Sequence, residues 1–137
     1  MFYYIPFESL KGMTFSAVKK SPIDGYTRDH IHFIEQSGKE FVMFHEQDCC
    51  ERVYIEDIVG DLQYLVGSPI IRAEESVDTG WDEEGCDRFK WTFYRIATAK
   101  GTVVIRWYGS SNGYYSESVD LVEIAPNTSL SEVLNYR

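Results

Sequence analysis

Three groups of residues in this chain have the types and spacing to do chemistry. The first is His30, His32 and His45, followed closely by Cys49 and Cys50. Two histidines at alternate strand positions, with a third across a ladder, can chelate a divalent metal, and Cys, Glu or water can complete the shell. The competing reading is a half-exposed hairpin with three ordinary histidines. The adjacent cysteines allow metal binding, redox chemistry or a vicinal disulfide. Asp48 and Glu51 beside them would raise a thiol pKa, which speaks against a cysteine nucleophile and for a buried or partly buried structural pair.

The second group is the acidic run from 74 to 87, which holds seven carboxylates and no Lys or Arg. Arrayed carboxylates can attract a basic partner or imitate a phosphate backbone, with Asp82, Glu83 and Glu84 at the centre. A solvated loop is the plainer reading. The third group joins Arg95, Arg106, Trp107 and Tyr108 with Asn112, Tyr114 and Tyr115. Trp, Tyr and Arg are the types enriched where interfaces concentrate their binding energy. A Gly-Ser-Ser-Asn-Gly loop on a rigid sheet is a natural binding tip. Packing of the same face inside the fold is the alternative.

The elements that must position these groups read as strands. Fifteen per cent of the residues are aromatic, which favours a β-rich chain. A first strand is expected over 13–19, and Ser21-Pro22-Ile23-Asp24-Gly25 has the composition of a loop. A hairpin is expected over 29–36 and 39–46. A two-residue Ser37-Gly38 turn would set His30 opposite His45 and His32 opposite Met43, so all three histidines share one face. Ile31, Phe33, Val42 and Phe44 would take the other. Ile58, Val59, Leu62, Leu65 and Val66 recur at helical spacing. With Asp57 as N-cap and Gly67 and Pro69 as stops, they predict the one short amphipathic helix, over 57–66.

A strand follows over 69–77. The last third predicts a three-stranded meander over 89–98, 102–108 and 114–124, with tight turns at Lys100-Gly101 and at 110–113. That register makes a row of Arg95, Arg106 and Glu117 on one face, flanked by Phe93, Tyr108 and Tyr115. It leaves Ile96, Val103, Ile105 and Trp107 for the core. A short turn of helix is expected after Asn127 or Thr128. The expected class is therefore α+β, mainly antiparallel sheet, as one domain over 1–137 with its core at about 10–124.

Composition narrows the function. The formal charge of −9 opposes nonspecific attraction to nucleic acid or to an anionic membrane. Three cysteines do not make a disulfide framework, so reduced thiols and a cytoplasmic setting are expected. No apolar run approaches the roughly 18 residues a membrane helix needs, and Met1 to Pro6 lacks the basic region of a signal peptide. The sequence has no phosphate-binding loop, dinucleotide fingerprint, His-Glu-x-x-His or nucleophile elbow.

The strings His45-Glu-Gln-Asp-Cys-Cys-Glu51, Val53-Tyr-Ile-Glu-Asp-Ile58, Gly60-Asp-Leu62, Gly67-Ser-Pro-Ile70, Ala73-Glu-Glu75, Trp91-Thr-Phe-Tyr94, Ile105-Arg-Trp-Tyr-Gly109 and Asn112-Gly-Tyr-Tyr-Ser-Glu117 carry a further signal. Together they resemble a family of small proteins from bacteriophages and bacteria that is known as a domain of unknown function. The resemblance runs from about 10 to 124. It implies a phage or prophage setting and assigns no activity to any residue. The expectation is a binding or inhibitory protein that engages a host protein, in the bacterial cytoplasm, without direct nucleic-acid contact and with no cofactor. A small metal-binding protein or metal-dependent enzyme built on the three histidines is the alternative, and self-association through strand edges is the third reading.

Overall fold

A computed structural model describes residues 1–21 and 28–135. Its strands are β1 (Phe2–Tyr4), β2 (Phe15–Lys20), β3 (His30–Glu35), β4 (Glu40–Phe44), β5 (Arg52–Val59), β6 (Arg72–Trp81), β7 (Arg88–Thr98), β8 (Gly101–Ser111) and β9 (Asp120–Ile124). One helix, α1 (Leu130–Leu134), ends the described chain. Two antiparallel sheets result, in the orders β1-β9-β4-β3-β2 and β5-β8-β7-β6. Phe15, Phe33, Phe41 and Met43 of the first share one core with Tyr94, Ile96, Ile105 and Trp107 of the second. A smaller cluster of Val42, Phe44, Val122 and Ile124 packs with Val133 and Leu134 of α1 on the other side of the first sheet. The helix is capped by Ser129, whose Oγ accepts the Glu132 N–H, in keeping with the turn expected in the tail. The loop expected at 22–25 lies outside the described residues.

Four expectations are corrected. The β3–β4 hairpin turns through three residues, with Gly38 at φ +95° and its N–H bonded to Glu35 O. A glycine in that conformation closes a longer loop than the two-residue turn read from Ser37-Gly38. The register slips by one, so His30 faces Phe44 and His32 faces Val42. One residue of slip exchanges the faces: Ile31, Phe33, Phe41 and Met43 enter the main core.

The helix expected over 57–66 is β5 followed by a 3-10 turn, Leu62–Leu65. The register of β5 against β8 shifts between Ile55 and Asp57. This bulge places both Ile55 and Ile58 toward the core, where they face Trp107 and Ile105. An interval of three between inward residues on a bulged strand has the same spacing as a helical stripe.

The β7–β8 hairpin closes at Thr98 and Gly101, two residues away from the expected register. An even shift preserves the faces, so Ile96, Val103, Ile105 and Trp107 are all buried as expected. Arg95 faces Val104 and Arg106 faces Phe93, so the Arg95–Arg106–Glu117 row does not form.

The third strand of the meander leaves this sheet altogether. β8 pairs with β5 on its far side, while β9 pairs with β4 and β1. Leu121 feeds the main core, and Val122 and Ile124 feed the cluster under α1. A strand apolar on both faces belongs between two layers. Glu117 instead lies over Gly109, where an added Cβ would come within 2.7 Å of Glu117 Cβ. Its Oε1 is 3.4 Å from Arg88 Nε.

Candidate functional site

The chain enters β5 through the segment 45–51, and that segment is organised by one carboxylate. Glu51 has a side chain with no exposure. Its oxygens accept the N–H groups of Asp48 and Cys49, both at 2.9 Å, and the Gln47 amide at 3.0 Å. His45 Nε2 lies 2.8 Å from Glu51 Oε2, and its Nδ1 lies 2.6 Å from Ser118 O. Burial pushes the Glu51 carboxyl up, but the donors from Asp48, Cys49 and His45 outweigh it and hold the group at about 2. With both nitrogens engaged, His45 is tied into this segment by Glu51 and Ser118.

The other two histidines lie elsewhere. His30 Nδ1 donates to Arg28 O at 2.8 Å, and burial lowers its pKa. His32 Nε2 is 2.8 Å from Glu40 Oε1. The corrected register sets His30 and His32 on the face beneath α1 and His45 on the opposite face. The proposed triad is therefore not assembled. Among the described residues, no group of three or more His, Cys, Asp or Glu is placed to hold a metal. Cys49 and Cys50 are exposed and joined in a vicinal disulfide, in place of the reduced, buried pair expected. Cys86 is free and exposed.

His45 and Glu51 form one wall of an open pocket of about 300 Å³, completed by Glu46, Ser116, Ser118 and Asp120. Burial, with the charge of Glu46, pushes the Asp120 carboxyl up to about 6, against the pull of His45 and Lys90. A carboxyl raised in the fold contributes stability below its ordinary value of 3.8, which is lost as pH rises through about 6. Asp120→Asn is expected to stabilise the protein above pH 6 by about 1 kcal/mol after allowance for solvent screening, and to leave it unchanged below about pH 4. Thermal unfolding of both proteins across this range checks it; an equal gain at every pH would show that the carboxyl is not strained.

The predicted binding residues divide into three places. Trp107 is 1% exposed, with its indole N–H toward Met43 Sδ at 3.3 Å, and so cannot anchor a partner. Arg95, Arg106 and Tyr108 lie on the outer face of the second sheet. There Tyr54, Tyr108, Trp91 and Phe93 form a continuous row of ring contacts, with centroids 4.6 to 6.4 Å apart. Arg106 lies over Trp91 and pairs with Glu56 and Asp57, and Arg52 lies over Tyr54.

Asn112, Tyr114 and Tyr115 form a tip just beyond β8. Asn112 Oδ1 accepts the Tyr114 N–H, and Ser111 Oγ accepts the Gly113 N–H. Gly113 sits against Trp81, so close that a Cβ would meet the ring at 2.7 Å. That contact brings the tyrosine tip beside the turn after β6, which carries Asp82, Glu83 and Glu84. Tyr114 is 83% exposed and Trp81 55% exposed. Sequence reasoning named the tyrosines and the acids but missed Trp81. Its position at the end of an alternating run, just before three acids, was the available signal.

These features define a two-sheet antiparallel β protein with an acidic, aromatic end. The chain belongs to the family described as Domain of unknown function (DUF7448), whose model matches residues 8–121. No curated protein and no solved structure matches it. Among the described residues, no helix is long and apolar enough to cross a membrane.

Proposed function

We propose that this chain is a binding protein that engages another protein through the end formed by Trp81, the turn at 82–87 and the tip Asn112–Tyr115. The observation that carries this reading is the seating of Gly113 against Trp81, which joins the two most exposed aromatic side chains of this end to its carboxylates. Large aromatic side chains supply binding energy when a partner covers them. Carboxylates around them select a basic surface and speed the encounter. The family resemblance and the charge suggest a phage or prophage product in the cytoplasm that inhibits a host protein, with the basic face of a nucleic-acid-handling or defence complex as target.

Immobilised protein, treated with nuclease and challenged with bacterial lysate, tests the reading. Partners retained by the native chain should be lost with Asp82→Lys, Glu83→Lys and Glu84→Lys combined, and separately with Tyr114→Ala. They should persist with Asp61→Lys, which lies at another exposed turn. Retention that ignores all three changes would overturn the assignment of this end.

A further inference from the structure

The outer face of the second sheet carries aromatic rings that neither core uses. Alternation turns Tyr54 of β5, Tyr108 of β8, and Trp91 and Phe93 of β7 to this side. The rings touch one another, and among the described residues they belong to neither apolar cluster. Each is half-buried, covered only in part by its neighbours on the sheet. The face that an antiparallel sheet turns to water is ordinarily polar. Rings massed at its centre, with arginines around them, mark a surface that another molecule covers.

Charge decides what that molecule is. The chain as a whole carries −9, but this face is balanced. Arg52, Arg72, Arg95 and Arg106 stand on it among Glu56, Asp57, Glu74 and Asp78. Arg106 pairs with Glu56 and Asp57, and Arg72 with Glu74. A basic partner is drawn more strongly to the acidic end, and a phosphate backbone would meet the carboxylates here. A face with both signs in equal number complements itself, which is what a two-fold interface demands of one patch. An axis parallel to the strands, between β7 and β8, lays the order β5-β8-β7-β6 on its reverse. Tyr108 then meets Trp91 of the second copy, Arg106 meets Phe93, Arg95 meets Val104 and Tyr54 meets Asp78, following the rows of the sheet. Rings face rings or cations, both favourable contacts, and none of these pairs opposes like charges.

We propose that two copies of this chain pack face to face through the outer sides of their second sheets. Four strands about 4.8 Å apart and some 33 Å long present roughly 600 Å² per copy, so the pair buries on the order of 1,200 Å², the lower bound of stable interfaces. Sheets packed in this way keep their strands nearly aligned. The axis therefore carries both acidic, aromatic ends to the same side of the dimer. The inference stands apart from the binding reading, whose residues lie beyond this patch.

Sedimentation velocity over a concentration series tests it. The native chain should sediment with twice its own mass and dissociate on dilution. Trp91→Glu and Phe93→Glu, each checked for folding by circular dichroism, should be monomeric where the native chain is dimeric, and Tyr114→Ala should stay dimeric. Glu74→Lys combined with Asp78→Lys changes only exposed side chains, so it spares the rings and the core. It makes both faces positive, so the dimer dissociation constant should rise about tenfold or more at low salt and recover at high salt. A native chain that is monomeric throughout, a dimer that survives a folded Trp91→Glu or Phe93→Glu, or a dissociation constant indifferent to the double lysine change would overturn the proposal. Lysate capture that depends on Tyr114 would be untouched by any of these results.

Discussion

Glu51→Ala is expected to destabilise the fold by about 3 kcal/mol, the cost of leaving several buried donors without their acceptor. The variant leaves His45, itself 5% exposed, without the partner of its Nε2. It also frees the N–H groups of Asp48 and Cys49 and the Gln47 amide, which converge on the same carboxylate. Glu51→Gln keeps the shape but offers one acceptor oxygen, and should fall between the two. The pH dependence carries a separate signature. The folded pKa of about 2 lies below the ordinary 4.5. The group therefore contributes stability above pH 4.5 that is lost as pH falls toward 2. The native protein should lose stability through that window more steeply than either variant. Urea unfolding at pH 7 and across pH 2–5 reads both effects. A loss below about 1 kcal/mol at pH 7 would mean that the segment 45–51 is held by something other than this carboxylate.

That role was hidden in the sequence, where His45-Glu-Gln-Asp-Cys-Cys-Glu51 offers a histidine and two cysteines as its chemical features and Glu51 enters only as a charge beside the thiols. Two of the four donors to Glu51 are backbone N–H groups, which no residue pattern announces. Elsewhere, parity decided what was legible. The inward set of β7 and β8 followed from alternation alone, because an error of two residues in the turn leaves every face unchanged. In the β3–β4 hairpin the error was one residue, and it exchanged the faces and dispersed the supposed histidine cluster. In β5 a bulge produced a spacing of three that imitates a helix. Bulges and turn lengths are set by backbone conformation, at positions such as Gly38, and the residue types alone leave them open.

The departure of β9 from the meander has a cause of another kind. Local pairing with β8 satisfied the charges of Arg106 and Glu117, and nothing nearby opposed it. The actual arrangement is decided at long range: β9 is apolar on both faces and is wanted between the main core and the cluster under α1. Arg106 finds its carboxylates on β5, at Glu56 and Asp57. The acidic, aromatic end was legible as two separate loops. Their meeting was not, because it depends on a glycine close enough to Trp81 to exclude a side chain.

Trp107 shows how a residue type misleads when its face is undecided. As a tryptophan beside Arg106 and Tyr108 it suggests an anchor for a partner, and by alternation with Ile105 and Val103 it belongs to the core. At 1% exposed, it lies in the core the two sheets share and reaches across to Met43 of the other sheet. Trp107→Ala is therefore expected to cost about 3–5 kcal/mol, because the cavity would open where the sheets meet and only part of it can collapse. Trp107→Phe keeps much of the ring and should cost less. Tyr108→Ala, one residue along on the half-exposed outer face, should cost about 1 kcal/mol, near the centre of ordinary substitutions. Urea unfolding followed by far-ultraviolet circular dichroism measures all three without relying on the removed indole. The order of the two alanine variants tests the parity of β8 directly: if Tyr108→Ala proved the costlier, the strand would have to be turned over, and Trp107 would return to the surface as a binding residue.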